Sequence, residues 1–257
     1  MTVETNTEDT GDLSLIEHLE ELRKRIIRAF IAVAIGFGIS YCFKDHLFAV
    51  LVQPLVTVMD AQDNLIFTGL PEAFFTYLKV SLLAGIILAL PVIFYEFWMF
   101  VAPGLYKKER KVILPVVLIS LVFFAAGACF AYFLVFPYGF KFFLGFATDT
   151  IRPLPSMKEY LSFAAKLLLA FGLAFEMPLV IILFARFGFV SVDFLKKNRK
   201  YALLIFFAGA AILTPPDVVT QIMLSVPLMA LYEMSIWGAV IFGRERKMAK
   251  EEESEAD

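Results

Sequence analysis

Long uncharged runs recur along the 257-residue chain, and short charged segments separate them. A helix needs roughly 20 apolar residues to cross a hydrocarbon layer about 30 Å thick. By that measure the pattern predicts an all-α membrane protein with six transmembrane helices. The predicted spans are residues 25–43, 73–101, 112–136, 160–187, 201–213 and 218–242.

The fifth predicted span is short because Thr214-Pro215-Pro216-Asp217 follows it directly. Thirteen residues extend about 20 Å at 1.5 Å per residue. Two prolines cannot continue a helix, and Asp217 can cap the next one. We therefore expect short fifth and sixth spans, with either part of the turn buried or the bilayer thinned locally.

Three further boundaries follow from local signals. Ser14 and Glu17 have the capping-box spacing, which predicts a short amphipathic surface helix before the first span. Apolar positions within residues 44–70 predict short helical pieces on the membrane surface. Pro137 is expected to end the third span.

The distribution of Lys and Arg predicts the orientation. The N-terminal segment, the loops at 107–111 and 186–200 and the tail carry 17 cations, whereas the alternate loops carry 4. Cationic loops stay on the cytoplasmic side, so both termini are expected there. We expect a disordered segment at 1–12, one membrane domain at 13–242 and a charged cytoplasmic tail at 243–257.

Composition supports a multi-pass membrane protein and argues against catalysis. Hydrophobic residues make up 60% of the chain and charged residues 19%, and the net charge is -2, so no nucleic-acid partner is expected. The chain has two histidines, both outside the spans, and no catalytic or phosphate-binding motif. Cys42 and Cys129 have no metal-ligand spacing and are expected to be small buried side chains. We predict no metal, no cofactor and no enzymatic activity.

A few ionisable residues interrupt the predicted spans. Glu176 lies near the middle of the fourth, where a carboxylate is either protonated within the bundle or placed on a concave or water-filled face. Lys79 either snorkels outward or pairs with an acid, and Lys166 is expected to snorkel. For Glu96, a position at the cytoplasmic interface is favoured.

Two acids outside the spans have competing interpretations. Glu109 stands among four cations, and Glu21 lies four residues before Arg25, as Glu20 does before Lys24. Solvated i,i+4 ion pairs explain Glu20 and Glu21. The alternative is a two-carboxylate clamp formed by Glu21 and Glu109, for which guanidinium groups are the best ligands.

Five motifs in this order resemble the TatC family, the multi-span core component of the twin-arginine protein translocase. The resemblance covers residues 13–242. The motifs are His18-Leu19-Glu20-Glu21-Leu22-Arg23-Lys24-Arg25, Pro91–Leu105 continuing to Glu109-Arg110, Ser162-Phe163, Phe175-Glu176-Met177-Pro178, and Leu213-Thr214-Pro215-Pro216-Asp217.

The resemblance implies a cupped six-helix bundle in the inner (cytoplasmic) membrane. It implies a receptor for twin-arginine signal peptides on folded cargo, working with single-span TatA- and TatB-type subunits and driven by the proton-motive force. A homo-oligomer is expected within the receptor complex. The implied signal-peptide site comprises Glu21, Glu109, Arg23, Phe100 and Pro103.

Other positions have implied roles as well. Glu176 matches the family's intramembrane acid on the concave face, where we also place Lys79 and Glu96. Partner contacts are expected at Asp217, Gln221, Pro215 and Pro216. The alternative function is a proton- or ion-coupled small-solute carrier using Glu176, Lys79 and Glu96, although the chain shows no internal repeat of the kind carriers usually have.

Overall fold

A computed structural model describes residues 9–59, 65–105, 113–148, 153–214 and 217–242. The described residues form helices joined by short non-helical segments and contain no β-strand, which confirms the all-α prediction. The helices are α1 (Asp9–Cys42), α2 (Lys44–Val56), α3 (Glu72–Leu105), α4 (Ile113–Phe130), a π-helical segment (Ala131–Val135), α5 (Phe136–Leu144), α6 (Met157–Phe175), α7 (Met177–Arg186), α8 (Val192–Lys197), α9 (Arg199–Leu213) and α10 (Val218–Phe242).

Five stretches of the described chain are long and apolar enough to cross a membrane. Helix α9 has only 15 residues, about 22 Å, so it is not among them, and the fifth predicted span, 201–213, stays a prediction. The five stretches are His18–Cys42, Glu72–Val101, Ile113–Leu144, Met157–Arg186 and Val218–Phe242.

The observed helices correct two predicted boundaries near the ends of the chain. Helix α1 is continuous from Asp9, so among residues 9–42 no separate surface helix precedes the first span. Helix α10 has 25 residues, about 37 Å, and continues through Pro227. It is long enough to cross the membrane, so the prediction that the sixth span is short is wrong. Residues 1–8 and 243–257 lie outside the described residues.

The prediction that Pro137 ends the third span is also wrong. Proline lacks an N–H group, and its ring clashes with the carbonyl four residues earlier in a regular α-helix. Here the π-helical segment directly precedes Phe136, whose N–H donates to the Ala131 carbonyl five residues back. The wider turn accommodates the proline, and the helix continues to Leu144.

Both cysteines are exposed, not buried as expected. Cys42 and Cys129 belong to apolar helices, and a membrane helix presents apolar side chains to lipid as readily as to its own core. An apolar neighbourhood in the sequence therefore does not predict burial in this class of protein.

The chain forms two compact units, one of Met1–Leu47 and Tyr77–Leu121, the other of Phe48–Thr76 and Val122–Asp257. In the first unit, α1 and α3 approach to backbone contact. A Cβ atom on Gly36 would lie 2.5 Å from the Gly85 carbonyl oxygen, so only glycine fits there. A buried hydrogen bond also joins α3 to α4: the indole N–H of Trp98 donates to the Ser120 hydroxyl at 2.9 Å.

In the second unit, two tyrosines anchor α2. The hydroxyl of Tyr132 donates to the Val50 carbonyl at 2.6 Å, and that of Tyr160 to the Leu51 carbonyl at 2.6 Å. The Tyr160 ring also packs against Phe140, with centroids 5.1 Å apart. The expectation of a helical piece in residues 44–70 is thus confirmed.

Glu72 at the start of α3 accepts hydrogen bonds from two segments, the residues just before α3 and the start of α6. Its carboxylate accepts from the Thr68 amide (2.7 Å), the Thr68 hydroxyl (3.0 Å) and the Gly69 amide (3.2 Å). It also accepts from the Ser156 hydroxyl (2.6 Å) and from the Lys158 amide in the first turn of α6 (3.0 Å). The sequence interpretation gave this buried acid no role.

The segment before α3 and the segment that begins α6 are also joined by backbone hydrogen bonds. Ile66 donates to the Pro155 carbonyl at 3.1 Å, and its own carbonyl accepts from the Met157 amide at 2.9 Å. Glu72 therefore closes a junction between residues 66–72 and the start of α6, and its ionised form has donors on both oxygens.

We predict that Glu72→Gln lowers the midpoint of thermal unfolding. The amide group of Gln would face donors that now bind a carboxylate oxygen, so at least one donor loses its acceptor. Glu159→Gln is the matched control, because Glu159 is an exposed acid in the same region. Equal midpoints for the two variants, measured in lipid nanodiscs, would contradict the assigned role.

We predict that Gly36→Ala destabilises the first unit by about 1–3 kcal/mol, as overpacking does in other well-packed sites. The added methyl group would press on the Gly85 carbonyl of α3. Gly38→Ala is the control, since no atom lies within 4 Å of a Cβ built at Gly38. Denaturant unfolding of both variants tests this, and equal stabilities would refute it.

Candidate functional site

The charged part of α1 contains the two ion pairs that spacing predicts. Lys24 lies 3.0 Å from Glu20, and both side chains are more than half exposed. Such a pair contributes well under about 1 kcal/mol. Arg25 pairs with Glu21 through both Nε, at 3.1 Å, and Nη2. The two i,i+4 predictions are confirmed, but only the second pair is part of a larger arrangement.

That arrangement is the α1–α3 charge cluster, formed by Glu21, Arg25, Arg28 and Glu96. Arg25 donates from Nη1 to Oε2 of Glu96 at 3.0 Å, and Nη1 of Arg28 lies 3.4 Å from Oε1. Arg25 is 11% exposed and Glu96 only 9%. Opposite charges alternate along the cluster, which offsets the cost of burying them.

Glu96 is buried and pairs with two arginines of α1, and its expected position at the cytoplasmic interface stays a prediction. Lys79 is exposed on the same helix. The two are 17 residues apart along α3, about 25 Å, so they do not form one site. Local sequence spacing could not predict the pairs of Glu96, because Arg28 and Arg25 lie 68 and 71 positions away along the chain.

An aromatic contact extends the cluster by one turn. The His18 ring stacks on Phe100 with centroids 4.5 Å apart and an interplanar angle of 17°. His18 lies three residues before Glu21, so Phe100 of α3 is brought beside this turn of α1. Arg23 is exposed. The contact of His18 with Phe100 and the bond from Arg25 to Glu96 have no signal in the sequence pattern.

Two further positions of the expected signal-peptide site are less completely described. Pro103 lies within α3, but its side chain is outside the described residues. Glu109 also lies outside them. The Glu21–Glu109 clamp therefore stays a prediction.

Glu176 marks the break between α6 and α7 and is buried. Its amide donates to the Leu173 carbonyl at 3.1 Å, and its own carbonyl accepts from Val180 at 3.0 Å. Pro178 follows two residues later and cannot donate to the preceding turn. The fourth predicted span, 160–187, is therefore built from two helices that meet at Glu176.

Asp217 caps α10, as its position after the turn predicted. Its Oδ1 accepts from the Thr220 amide at 2.8 Å, and its Oδ2 accepts from the Thr220 hydroxyl. These bonds hold the pKa of the Asp217 carboxyl below its usual range. Gln221 lies in the same turn, and its backbone N–H donates to the backbone carbonyl of Asp217 at 3.3 Å. Pro215 and Pro216 are outside the described residues.

The second unit also has an apolar groove between α9 and α10. Its volume is about 310 Å³. Arg199 and Glu233 pair at 2.7 Å, and Glu233 lines the groove. The other lining residues are Leu203, Phe207, Ser225, Val226, Met229 and Ala230.

Residues 17–227 match the profile of the family described as Sec-independent protein translocase protein (TatC). The chain belongs to the TatC family. The TatC protein of Desulforapulum autotrophicum is 65% identical over 93% of this chain and 88% of its own length. That of Magnetococcus marinus is 48% identical over 94% of this chain and 88% of its own length.

A solved structure agrees with this assignment. The crystal structure of the twin-arginine translocase receptor TatC matches with a TM-score of 0.80 and 40% identity, over 88% of this chain and 100% of that one. The resemblance drawn from the five motifs is confirmed. As a TatC-family member, the chain is a membrane protein of the Tat translocase with several membrane-spanning helices.

We predict that Asp217→Ala speeds amide exchange at Thr220, whereas Asp217→Asn preserves protection because Asn also caps helices. In the wild type, acidification is expected to act like the Ala substitution. Since the folded-state pKa is lowered, the cap contributes fully above the ordinary carboxyl pKa and is lost as the pH falls through the lowered value. Hydrogen exchange with mass spectrometry measures both effects, and equal exchange in the Ala and Asn variants would contradict the cap.

Proposed function

We propose that this TatC-family chain is the signal-peptide receptor of a twin-arginine translocase. It would bind the twin-arginine signals of folded proteins at the charged end of α1 and act without enzymatic chemistry. Export would then require single-span TatA- and TatB-type partners and the proton-motive force. The name of the matched crystal structure, a twin-arginine translocase receptor, supports this role.

The observation that carries the proposal is the guanidinium contact already made by Glu21. Its carboxylate accepts two N–H groups of Arg25 while staying 39% exposed. A carboxylate held in this way is shaped for a planar guanidinium and is accessible to one from outside. Glu109 is proposed as the second carboxylate of the clamp.

Neighbouring residues would complete the site. Phe100 supplies an apolar surface beside Glu21, stacked on His18, against which the hydrophobic part of a signal can pack. Arg23 and Pro103 are proposed as supporting residues. Cations around Glu21 would disfavour signals whose arginines are poorly placed.

Partners and orientation extend the proposal. We place both termini in the cytoplasm and the chain in the inner membrane, with α9 as a short sixth membrane crossing. The groove between α9 and α10 offers apolar surface to a single-span partner helix, with Asp217 and Gln221 at one end of α10. A homo-oligomeric receptor complex belongs to the same proposal.

The small-solute carrier gains no support from the geometry. Arg25 and Arg28 neutralise Glu96, and Lys79 lies about 25 Å away along the same helix. A carrier needs its ionisable groups gathered at one midplane site.

We predict that Glu21→Gln weakens binding of a twin-arginine peptide by about tenfold or more, since charge-assisted hydrogen bonds contribute about 1.5–3 kcal/mol each. Glu109→Gln should have a similar effect, and export of twin-arginine cargo should stop in either variant. Site-specific crosslinking to the peptide and an export assay in cells measure these effects.

Glu20→Gln is the matched control because Glu20 is the adjacent acid and pairs only with exposed Lys24 among the described ion pairs. It should bind peptide nearly as well as the wild type. All variants should insert into the membrane at normal levels. Normal crosslinking of the Glu21→Gln/Glu109→Gln double variant would refute the clamp.

A further inference from the structure

Arg25 occupies the very carboxylate that the signal peptide is proposed to use. Its Nε and Nη2 both contact Oε1 of Glu21. The Arg25 side chain is 11% exposed, so this is a fixed contact and not a loose surface pair. A guanidinium from the same chain therefore occupies Oε1, one of the two oxygens that an incoming guanidinium would use.

Arg25 also has a second acceptor that remains if Glu21 is taken away. Its Nη1 donates to Oε2 of Glu96 at 3.0 Å. Glu96 is 9% exposed and faces Arg28 at 3.4 Å on its other oxygen. Losing Glu21 would thus leave Arg25 paired, which avoids the high cost of an isolated buried charge.

We infer that Arg25 is an internal competitor for Glu21, displaced by the arginine of a bound signal peptide and retained by Glu96 when displaced. The inference rests on the proposed receptor function and adds a residue that sets its affinity. The number of ion pairs is conserved in the exchange, so part of the gain from the new contact is offset by the one that is lost. Every ligand must overcome the same displacement cost, which leaves a single-point cation such as lysine too weak to bind.

A purely structural role for Arg25 makes the opposite prediction. If Arg25 only held α1 against α3, removing it would weaken peptide binding or leave it unchanged. Competition predicts tighter binding. The sign of the change in Kd therefore separates the two roles.

The test is a titration of the full chain in lipid nanodiscs with a fluorescent Ser-Arg-Arg-x-Phe-Leu-Lys peptide. Arg25→Gln is expected to lower the Kd about threefold to tenfold. Lys24→Gln is the matched control, since it removes one cation from the i,i+4 pair at the preceding position. Any decrease in Kd that Lys24→Gln also produces is the effect of removing one positive charge near the site. A decrease no larger than the control's overturns the inference.

A double-mutant cycle tests the part assigned to Glu96. In Glu96→Gln, Arg25 loses its alternative acceptor and stays on Glu21, so the Kd is expected to rise about threefold. In the Arg25→Gln background the same substitution should change the Kd little. An equal rise in both backgrounds would mean that Glu96 acts directly on the peptide and would overturn the relay through Arg25.

Arg25→Lys keeps the test valid if Arg25→Gln folds poorly. It preserves the charge but replaces the fork by one compact ammonium, which cannot hold Glu21 and Glu96 in the same geometry. The Kd is expected to fall, by less than in Arg25→Gln, with an unchanged thermal midpoint. An unchanged or higher Kd in folded Arg25→Lys overturns the inference.

Failure of the receptor proposal gives a different result. In that case the wild type would bind twin-arginine and twin-lysine peptides equally, or Glu21→Gln would bind as well as the wild type. If both of those controls behave as proposed and Arg25→Gln still does not tighten binding, only the competition by Arg25 is wrong.

Discussion

The need to keep a charge paired in apolar surroundings governs the structure around the charged end of α1. Glu96 lies nine-tenths buried in an apolar helix, so its two arginine partners must come from the packed neighbour. Those contacts fix the rotation of α1 against α3 and hence the position of Glu21. The exposed pair between Glu20 and Lys24 imposes no such constraint, since solvent can replace either partner.

Hydrophobic length predicted the architecture well where helices are uninterrupted. The sixth predicted span, 218–242, coincides with α10. Local chemistry was less reliable at prolines. Pro178 does accompany a break, whereas Pro137 is accommodated by a π-helical segment that leaves no periodicity signal of its own. The same residue type thus has two outcomes, decided by the hydrogen bonding of the preceding turn.

The candidate site was predictable only as far as contacts within one helix reach. The pair between Glu21 and Arg25 follows from i,i+4 spacing, but the bond from Arg25 to Glu96 spans 71 positions. Such a contact depends on how closely two helices approach, which Gly36 and Gly85 decide. In a single sequence, nothing at Gly36 or Gly85 shows that the approach of α1 to α3 places Arg25 beside Glu96.

The two tyrosine anchors of α2 have an evolutionary consequence. Tyr132 and Tyr160 bind carbonyl oxygens of Val50 and Leu51, which are backbone atoms that every residue supplies. The attachment therefore constrains the path of α2 without depending on which side chains Val50 and Leu51 carry, although Leu51, Val52, Pro54 and Leu55 are buried. A helix held in this way can change its exposed residues, and acquire new outward-facing chemistry, without being detached from the segments that carry the two tyrosines.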